Sequence, residues 1–371
     1  MSAIDVDGLH KTYAAKGRPG GVRALAGLGF AVEPGTVFGL LGPNGAGKST
    51  TIKILTTLTR ADSGTATVAG LDVLRDQQRV RRAIGVVAQR SGADPVASGK
   101  QNLMLQGRLY GMRGSALSRR ADELLERFNL TDAAKRSART YSGGMLRRLD
   151  VAIGLVNRPE VLFLDEPTTG LDIEARAAMW EEINRLAGDE GLTILLTTHH
   201  LEEADRLARR LAIVDQGRVV AEGTPAQLKG ELKGDAVHVE LRSAHDAGQI
   251  RSALAAVPAV REVTVDGSRV SARADDGAAA VPAVLAALDQ AGAPVASVTV
   301  ARPSLDDVYL RYAGRRFAEA DASDAGQNAR PDSQRQQAQD GTGSETESGS
   351  ESESESSAES AESATISGGA R

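Results

Sequence analysis

The segment that most constrains the fold of this chain is GPNGAGKST, which directly follows the apolar run TVFGLL (residues 36–41). Its three glycines allow backbone N–H groups to turn towards an anion without a Cβ in the way. The next segment, TIKILTTL, can form a helix whose N-terminus faces that anion. We therefore predict that these nine residues form a phosphate loop that binds ATP: Gly42, Pro43, Asn44, Gly45, Ala46, Gly47, Lys48, Ser49 and Thr50.

Lys48 and Ser49 are expected to supply the charged and the metal-binding group of this loop. A helix N-terminus contributes only about 0.3 to 1 kcal/mol to anion binding at an exposed site, which is too little to hold a triphosphate. Lys48 is therefore predicted to place its ammonium at the β and γ phosphates, and Ser49 to offer its hydroxyl to Mg²⁺. The alternative is a glycine-rich turn that matches by chance. The scarcity of lysine, eight in the chain, argues against it.

A second apolar run, VLFLDEP (residues 161–167), contains the adjacent carboxylates of Asp165 and Glu166. In a doubly wound sheet, ligands bind at the carboxyl ends of the strands. Asp165 is predicted to hold Mg²⁺, and Glu166 to orient and deprotonate the attacking water. Alternation along the strand would direct the two side chains to these different tasks. The alternative is that both carboxylates cap the next helix.

A third apolar run, TILLTT (residues 193–198), is followed by His199 and His200. Either imidazole could donate to a γ phosphate and hold the water. A histidine at a strand end is more often structural, but its position after a third buried strand favours a catalytic role. We prefer His199 because it is nearer the strand end, with His200 opening the helix LEEADRLARR.

The pattern of apolar runs predicts an α/β domain over residues 1–230. Runs that are apolar on both faces are typical of buried parallel strands. Near the end of this domain, LAIVDQGRVVAEG is predicted to form a hairpin around Gln216 and Gly217. Thr224 and Pro225 are typical of a helix start.

A second, accessory α+β domain is predicted over residues 231–316. Its segments follow the order strand, helix, strand, strand, helix, strand, which is the ferredoxin-like arrangement. A final helix in PSLDDVYLRYAGRR would begin after Ser304 and place Leu305, Val308, Tyr309 and Tyr312 on one helical face, which should pack against another element.

Residues 317–371 are predicted to form a disordered Ser/Glu-rich tail. They contain twelve acidic residues and three arginines, so the net charge of −5 of the whole chain arises in this segment. The repeat SETESGSESESESSAES offers too little apolar surface to offset the entropy lost on ordering.

Composition excludes several classes of function. Cysteine is absent, so disulfides, Cys-ligated zinc and a thiol nucleophile are excluded, and a reducing cytoplasm fits. The N-terminus MSAIDVDGLHK lacks the basic start and apolar core of a signal peptide. The longest uncharged apolar stretch, residues 277–288, contains Pro282 and is far shorter than the roughly 20 residues that cross a bilayer.

The remaining motifs carry a family resemblance. YSGGMLRRLD (residues 141–150) lies between the phosphate loop and the string LDEPTTGLD (residues 164–172). In this order and spacing, the three motifs resemble the nucleotide-binding subunit of ATP-binding cassette (ABC) transporters over about residues 3–230. YSGGM, LTTHHLEEADRL and PSLDDVYL look like its daunorubicin-resistance, multidrug-export branch. The resemblance implies a P-loop NTPase fold with a helical subdomain.

The SGG motif has a physical interpretation of its own. Ser142 could cap a helix while the amides of Gly143 and Gly144 remain open to an anion. In the family this site closes on the γ phosphate bound by the other subunit. The chain has one phosphate loop and one YSGGM signature, so the resemblance implies a homodimer with two shared ATP sites.

Three further positions match the family residue by residue. Tyr13 matches the aromatic residue that stacks on adenine, with a core aromatic as the alternative. Gln89 matches the glutamine that senses Mg²⁺ and couples to the transmembrane partner, with a solvated polar residue as the alternative. Asp172 matches the acidic residue of the loop that crosses between subunits, and a helix cap is nearly as plausible physically. Departures from the family pattern are Tyr141 and Met145 in the signature, and His200 where the branch often has tyrosine.

These observations predict the ATP-hydrolysing subunit of an exporter of a drug or antibiotic-like compound. It would work with a separate transmembrane permease, at the cytoplasmic face of the cell membrane. One alternative is a soluble ABC-type ATPase that acts on DNA or ribosomes. Such proteins usually have two cassettes, long insertions or zinc modules, so we expect no nucleic acid partner. A regulator that no longer hydrolyses ATP is disfavoured because both Glu166 and His199 are present.

Overall fold

The computed structural model describes residues 2–15, 18–258 and 260–314. The predicted tail (317–371) and residues 315 and 316 of the predicted accessory domain lie outside this part of the chain.

The strands are β1 (Ile4–Ala15), β2 (Arg18–Val32), β3 (Val37–Leu41), β4 (Ser63–Val68), β5 (Leu71–Asp72), β6 (Ile84–Val87), β7 (Val161–Asp165), β8 (Thr193–Thr198), β9 (Arg210–Asp215), β10 (Arg218–Gly223), β11 (Asp235–Leu241), β12 (Val260–Asp266), β13 (Arg269–Ala274) and β14 (Val295–Ala301). The helices are α1 (Lys48–Leu55), α2 (Gln77–Ala83), α3 (Gly99–Leu109), α4 (Gly114–Arg127), α5 (Gly143–Gly154), α6 (Ile173–Gly188), α7 (Leu201–Leu207), α8 (Pro225–Gly230), α9 (Ala247–Ala255), α10 (Gly277–Gln290) and α11 (Leu305–Ala313). Each helix of the described residues is too short or too polar to span a bilayer.

Six strands form the sheet that carries the phosphate loop, in the order β10-β9-β3-β8-β7-β6. The pairs from β9 to β6 are parallel, and β10 pairs antiparallel with β9. Side chains of β3 and β8 are buried along their whole length. The three buried parallel strands and the hairpin predicted from the sequence are therefore confirmed.

Apolar side chains on opposite faces of this sheet enter two different cores. Leu162 and Leu164 pack in a core with the helical layer α3–α6. Val161 and Phe163 pack in a second core with α1 and with an antiparallel sheet of order β2-β1-β4-β5. Because both faces are covered, the carboxyl edge of the parallel strands is left for the ligand site.

Residues 235–301 form a separate antiparallel sheet of order β12-β13-β11-β14. Val237 from the sheet packs in one core with Ile250 of α9 and with Val284 and Leu288 of α10. The side chain of Asp246 caps α9, and that of Asp276 caps α10. The order of strands and helices is the one predicted from the sequence.

The last helix, α11, packs against α7, α8 and β10. Ser304 caps it, as predicted, and Leu305, Val308 and Tyr309 are buried in a core that includes Leu228 of α8. The Tyr309 hydroxyl donates to Asp215 Oδ1 at 2.9 Å. Tyr312, one turn further along the same face, is 43% exposed, and its hydroxyl donates to Glu231 Oε2 at 2.6 Å.

Candidate active site

The phosphate loop joins β3 to α1 and is held in place by close backbone packing. Gly47 has φ +111°, and a Cβ there would lie 2.6 Å from the carbonyl oxygen of Ala24. A Cβ on Gly42 would lie 2.4 Å from the carbonyl oxygen of Val214. These two glycines are therefore required by the neighbouring strands as well as by the phosphates. Only the second requirement is evident in the sequence, because Ala24 and Val214 lie far from the loop along the chain.

Lys48 is the first residue of α1, and only 4% of it is exposed. Its ammonium points back over the loop. Its Nζ donates to the carbonyl oxygens of Gly42 at 2.6 Å and Pro43 at 2.9 Å. The same atom lies 3.9 Å from Glu166 Oε1. The structure thus brings the predicted phosphate-binding lysine and the predicted base to one point.

Ser49 and Asp165 lie side by side, as predicted for a shared metal ion. Ser49 Oγ donates to Asp165 Oδ1 at 3.3 Å, and Thr197 Oγ1 donates to the same oxygen at 2.6 Å. Mg²⁺ usually takes one or two protein oxygens and completes its shell with phosphates and water. The described residues contain no cluster of three or more acidic or histidine ligands. A hydroxyl beside a single carboxylate fits an ion shared with a triphosphate.

Glu166 lies just beyond the end of β7, and its backbone turns sharply. Its φ of +49° is left-handed, a conformation that costs a non-glycine residue on the order of 1 kcal/mol. Its N–H donates to both the carbonyl oxygen and the hydroxyl of Thr197, at 3.1 Å each. The expectation that strand alternation separates Asp165 from Glu166 is therefore wrong, since a turn directs Glu166 away from the strand.

Three side chains surround the Glu166 carboxylate. His199 Nδ1 lies 3.2 Å from Oε1, while Gln89 Nε2 and the Thr169 hydroxyl donate to Oε2 at 2.9 and 3.3 Å. Gln89, predicted as a metal ligand, thus directs its amide to the predicted base. Burial raises the pKa of Glu166, but His199, Lys48 and Thr169 together lower it below its usual value. The carboxylate is therefore ionised at neutral pH.

The two histidines have different positions. His199 contacts Glu166, whereas His200 precedes α7 and its backbone N–H donates to the Thr198 hydroxyl at 2.9 Å. Burial lowers the pKa of His200, and the nearby His199 lowers it further. His200 is therefore neutral at pH 7, and His199 is the imidazole that the structure brings to the candidate base.

The signature residues lie at the N-termini of two neighbouring helices. Ser142 caps α5 by accepting from Met145 N at 3.2 Å, and Asp172 caps α6 by accepting from Ala175 N at 2.7 Å. The helix-cap alternative for Asp172 is thus the role that the described contacts support. A Cβ on Gly144 would lie 3.0 Å from the Ala175 Cβ, so the two helix ends are in contact. Ser142 and the next residue, Gly143, are both exposed at this end of α5.

Tyr13 lies on β1 and its side chain is 37% exposed, which excludes the core aromatic that was its alternative. The Lys11 ammonium lies 5.5 Å from the centre of its ring. An exposed ring of this kind is available for stacking.

Arg147 is the main residue of the site that the sequence analysis missed. It is 7% exposed and donates to the carbonyl oxygens of Pro167 (2.7 Å), Ala88 (2.7 Å), Asp165 (3.0 Å) and Glu166 (3.1 Å). Burial lowers the pKa of Arg147, while the charge of Asp150 acts in the opposite direction. Its only signal in the sequence was its place one turn into the helix that begins with SGG.

Two family models match the chain. The model described as ABC transporter matches residues 25–169. The model described as ATP-binding protein DrrA1-3-like, C-terminal domain, matches residues 223–313. The first match contains the phosphate loop, and the second contains the antiparallel sheet of β11–β14 and α11.

Curated relatives align with most of the chain. The daunorubicin resistance ATP-binding protein DrrA3 of Streptomyces coeruleorubidus is 48% identical over 323 residues, which cover 86% of this chain and 99% of that protein. The Nod factor export ATP-binding protein I of Ralstonia nicotianae is 38% identical over 315 residues, 85% of this chain and 94% of that protein.

Among solved structures, a dimeric ATP-binding cassette in a post-hydrolysis state, bound to ADP and Pi, is similar with a TM-score of 0.54 and 25% identity. The superimposed region covers 60% of this chain and 98% of the chain in that structure.

Proposed function

Because this chain belongs to the ABC transporter family of ATP-binding proteins, in the branch of the daunorubicin-resistance proteins, we propose that it powers export of an antibiotic-like compound through a separate transmembrane permease. The enzyme activity is ATP hydrolysis. The observation that carries the proposal is that both Lys48 and His199 lie close to the Glu166 carboxylate. Lys48 Nζ is 3.9 Å and His199 Nδ1 is 3.2 Å from Glu166 Oε1. The DNA- or ribosome-directed alternative is not favoured, since the curated relatives are resistance and export proteins.

Each residue of the site has a proposed role in hydrolysis. Lys48 holds the β and γ phosphates, and backbone N–H groups of the loop between Asn44 and Thr50 bind their oxygens. Ser49 and Asp165 hold Mg²⁺, which when bound would neutralise part of the phosphate charge. Glu166 accepts a proton from the attacking water. His199 orients the carboxylate through Nδ1–H and, as an imidazolium, donates to the γ phosphate through Nε2. Tyr13 stacks on adenine.

We propose that two copies of the chain share each ATP. Support comes from the exposed N-terminus of α5, where Ser142, Gly143 and Gly144 can bind the γ phosphate held by the other copy, with Asp172 beside it. The similar cassette structure is a dimer. The dimer closes on ATP, closure drives the permease outward, and hydrolysis reopens it.

The dimer leads to a size prediction. A Glu166→Gln chain mixed with Mg-ATP is expected to elute as a dimer, because binding proceeds while hydrolysis is blocked. Adding Ser142→Arg should leave the chain a monomer, since a bulky side chain would occupy the γ phosphate clamp. Ser115→Arg, at an exposed position of α4, is the matched control and should still dimerise. A dimer of equal stability with Ser142→Arg would contradict the clamp.

Exposed apolar side chains on and just before α3 support the proposal that the chain binds a permease at the membrane. Val96 is 76% exposed and Leu109 is 74% exposed, in the segment that follows Gln89. Leu105 lies one turn before Leu109 on α3 and is also exposed. Exposed apolar residues of this kind are typical of a protein interface, and we propose that the permease covers them at the cytoplasmic face of the membrane.

The domain boundaries are proposed at 1–230 and 231–316. The separate core of β11–β14, α9 and α10 supports the second domain, and its strand order supports a ferredoxin-like arrangement.

Export is tested in cells. Cells that lack this chain are expected to retain more fluorescent daunorubicin than cells that express it, and the parent chain should restore efflux. Glu166→Gln should not restore efflux, whereas Glu174→Gln, an exposed acid in the first turn of α6, should do so. Equal retention with and without the parent chain would contradict export of this class of compound.

A further inference from the structure

Glu203 is a fully buried carboxylate on α7 that the proposed chemistry does not use. Its Oε1 accepts hydrogen bonds from the Thr168 hydroxyl at 2.8 Å and from Trp180 Nε1 at 3.1 Å. Its Oε2 has no hydrogen-bond partner in the described part of the chain. A carboxylate buried with one oxygen unpaired costs free energy, and an apolar residue would fill the same space without that cost. Packing alone therefore does not explain why a carboxylate occupies this position and accepts these two hydrogen bonds.

We call Thr168, Trp180 and Glu203 the Glu203 cluster. This cluster connects the segment that carries Glu166 with the segment that carries His199. Thr168 lies two residues after Glu166, and its neighbour Thr169 donates to the Glu166 carboxylate at 3.3 Å. Glu203 lies four residues after His199, in the first turn of the helix that follows it.

The third member, Trp180, comes from α6, and all three residues of the Glu203 cluster are buried. The Arg206 guanidinium lies 5.0 Å from the centre of the Trp180 ring. The cluster therefore joins three segments in a rigid core next to the Glu166–His199 pair.

We propose that Glu203, through Thr168 and Trp180, is a positioning residue that sets the separation of Glu166 and His199. This role rests on the proposed function of that pair. The hydroxyl of Thr168 holds the turn after Glu166 against α7, and α7 holds His199 at 3.2 Å from the carboxylate. A displacement of about 1 Å at such a pair can lower the rate by about a hundredfold.

Thr168 offers the most selective test, because valine has the same shape and lacks only the hydroxyl. Thr168→Val is expected to lower kcat for ATP hydrolysis by about ten- to a hundredfold and to leave the Kd for ATP unchanged. Thr168→Ser keeps the donor and should remain near the parent kcat. Glu202→Gln, an exposed neighbour of Glu203, is the control and should not differ from the parent.

A second pair of variants separates positioning from folding. Glu203→Gln keeps an acceptor oxygen and should retain most of the parent kcat, whereas Glu203→Met removes it and should lower kcat at least as much as Thr168→Val. The double variant Thr168→Val/Glu203→Met should be no slower than Glu203→Met alone, because Glu203→Met already removes the Thr168–Glu203 hydrogen bond. Trp180 is the only tryptophan of the chain, so an unchanged emission maximum would show that the core around the cluster stays closed.

The outcomes distinguish this role from the proposed function. If the parent hydrolyses ATP and Glu166→Gln does not, the proposed function stands. In that case, a Thr168→Val chain with the parent kcat, or equal losses in Thr168→Val and Thr168→Ser, would overturn the positioning role. A fall in kcat that only matches a fall in the folded fraction would overturn it too. A Glu166→Gln chain with the parent rate would instead overturn the assignment of the base.

Discussion

Glu166→Gln is expected to lower kcat for ATP hydrolysis by about 10²- to 10⁴-fold, the contribution typical of a positioned general base. Glutamine has nearly the same shape, and its amide oxygen can still accept from Gln89 or Thr169. It cannot take a proton from water. Because Lys48 donates to the loop carbonyls rather than depending on Glu166, ATP should still bind with little change in Kd.

The measurement is steady-state phosphate release, paired with ATP binding by calorimetry. Glu174→Gln is the control, because that carboxylate is exposed in the first turn of α6 and should not alter either quantity. A Glu166→Gln chain that turns over ATP at the parent rate would show that another group is the base.

The electrostatics of Glu166 support this role. Its cationic neighbour Lys48 helps to lower its pKa, so the carboxylate is ionised and able to accept a proton at neutral pH.

Arg147→Lys is expected to lower both the free energy of unfolding, by about 3 kcal/mol, and kcat, by about tenfold or more. Arginine makes four hydrogen bonds here to carbonyls of two segments of the site, namely Ala88 and the consecutive residues Asp165, Glu166 and Pro167. A lysine has one nitrogen with at most three donors and lacks the planar fork, so some of these buried carbonyls would lose their partner.

Unfolding in urea and ATP turnover at a temperature well below the melting point would measure the two effects separately. Arg148→Lys is the matched control, since Arg148 makes longer bonds to Gly144 (3.4 Å) and Phe128 (3.2 Å) and should change stability by less than about 1 kcal/mol. If Arg147→Lys unfolded at the same urea concentration as the parent, the carbonyl contacts would not be stabilising the site.

The amino-acid sequence by itself determined the parallel sheet, the phosphate loop and most helix starts. Buried strands appear as local apolar runs, and helix caps such as Ser304 and Thr224 depend on residues three or four positions apart. The order of the motifs was enough for the family, which the comparisons confirm. Such signals are local, so they can be recognised before the chain is folded.

Only the tertiary structure decided how the site is assembled. The direction of Glu166 depends on a left-handed turn held by Thr197, and the residue type does not prescribe that φ. The Arg147 and Glu203 contacts join segments far apart in the chain, with no periodic signal to predict them. Gly47 likewise must be glycine because Ala24 of another strand lies against it. Interactions between distant segments exist only after the chain has packed, which is why the phosphate loop was predicted and the residues that support the proposed catalytic pair were not.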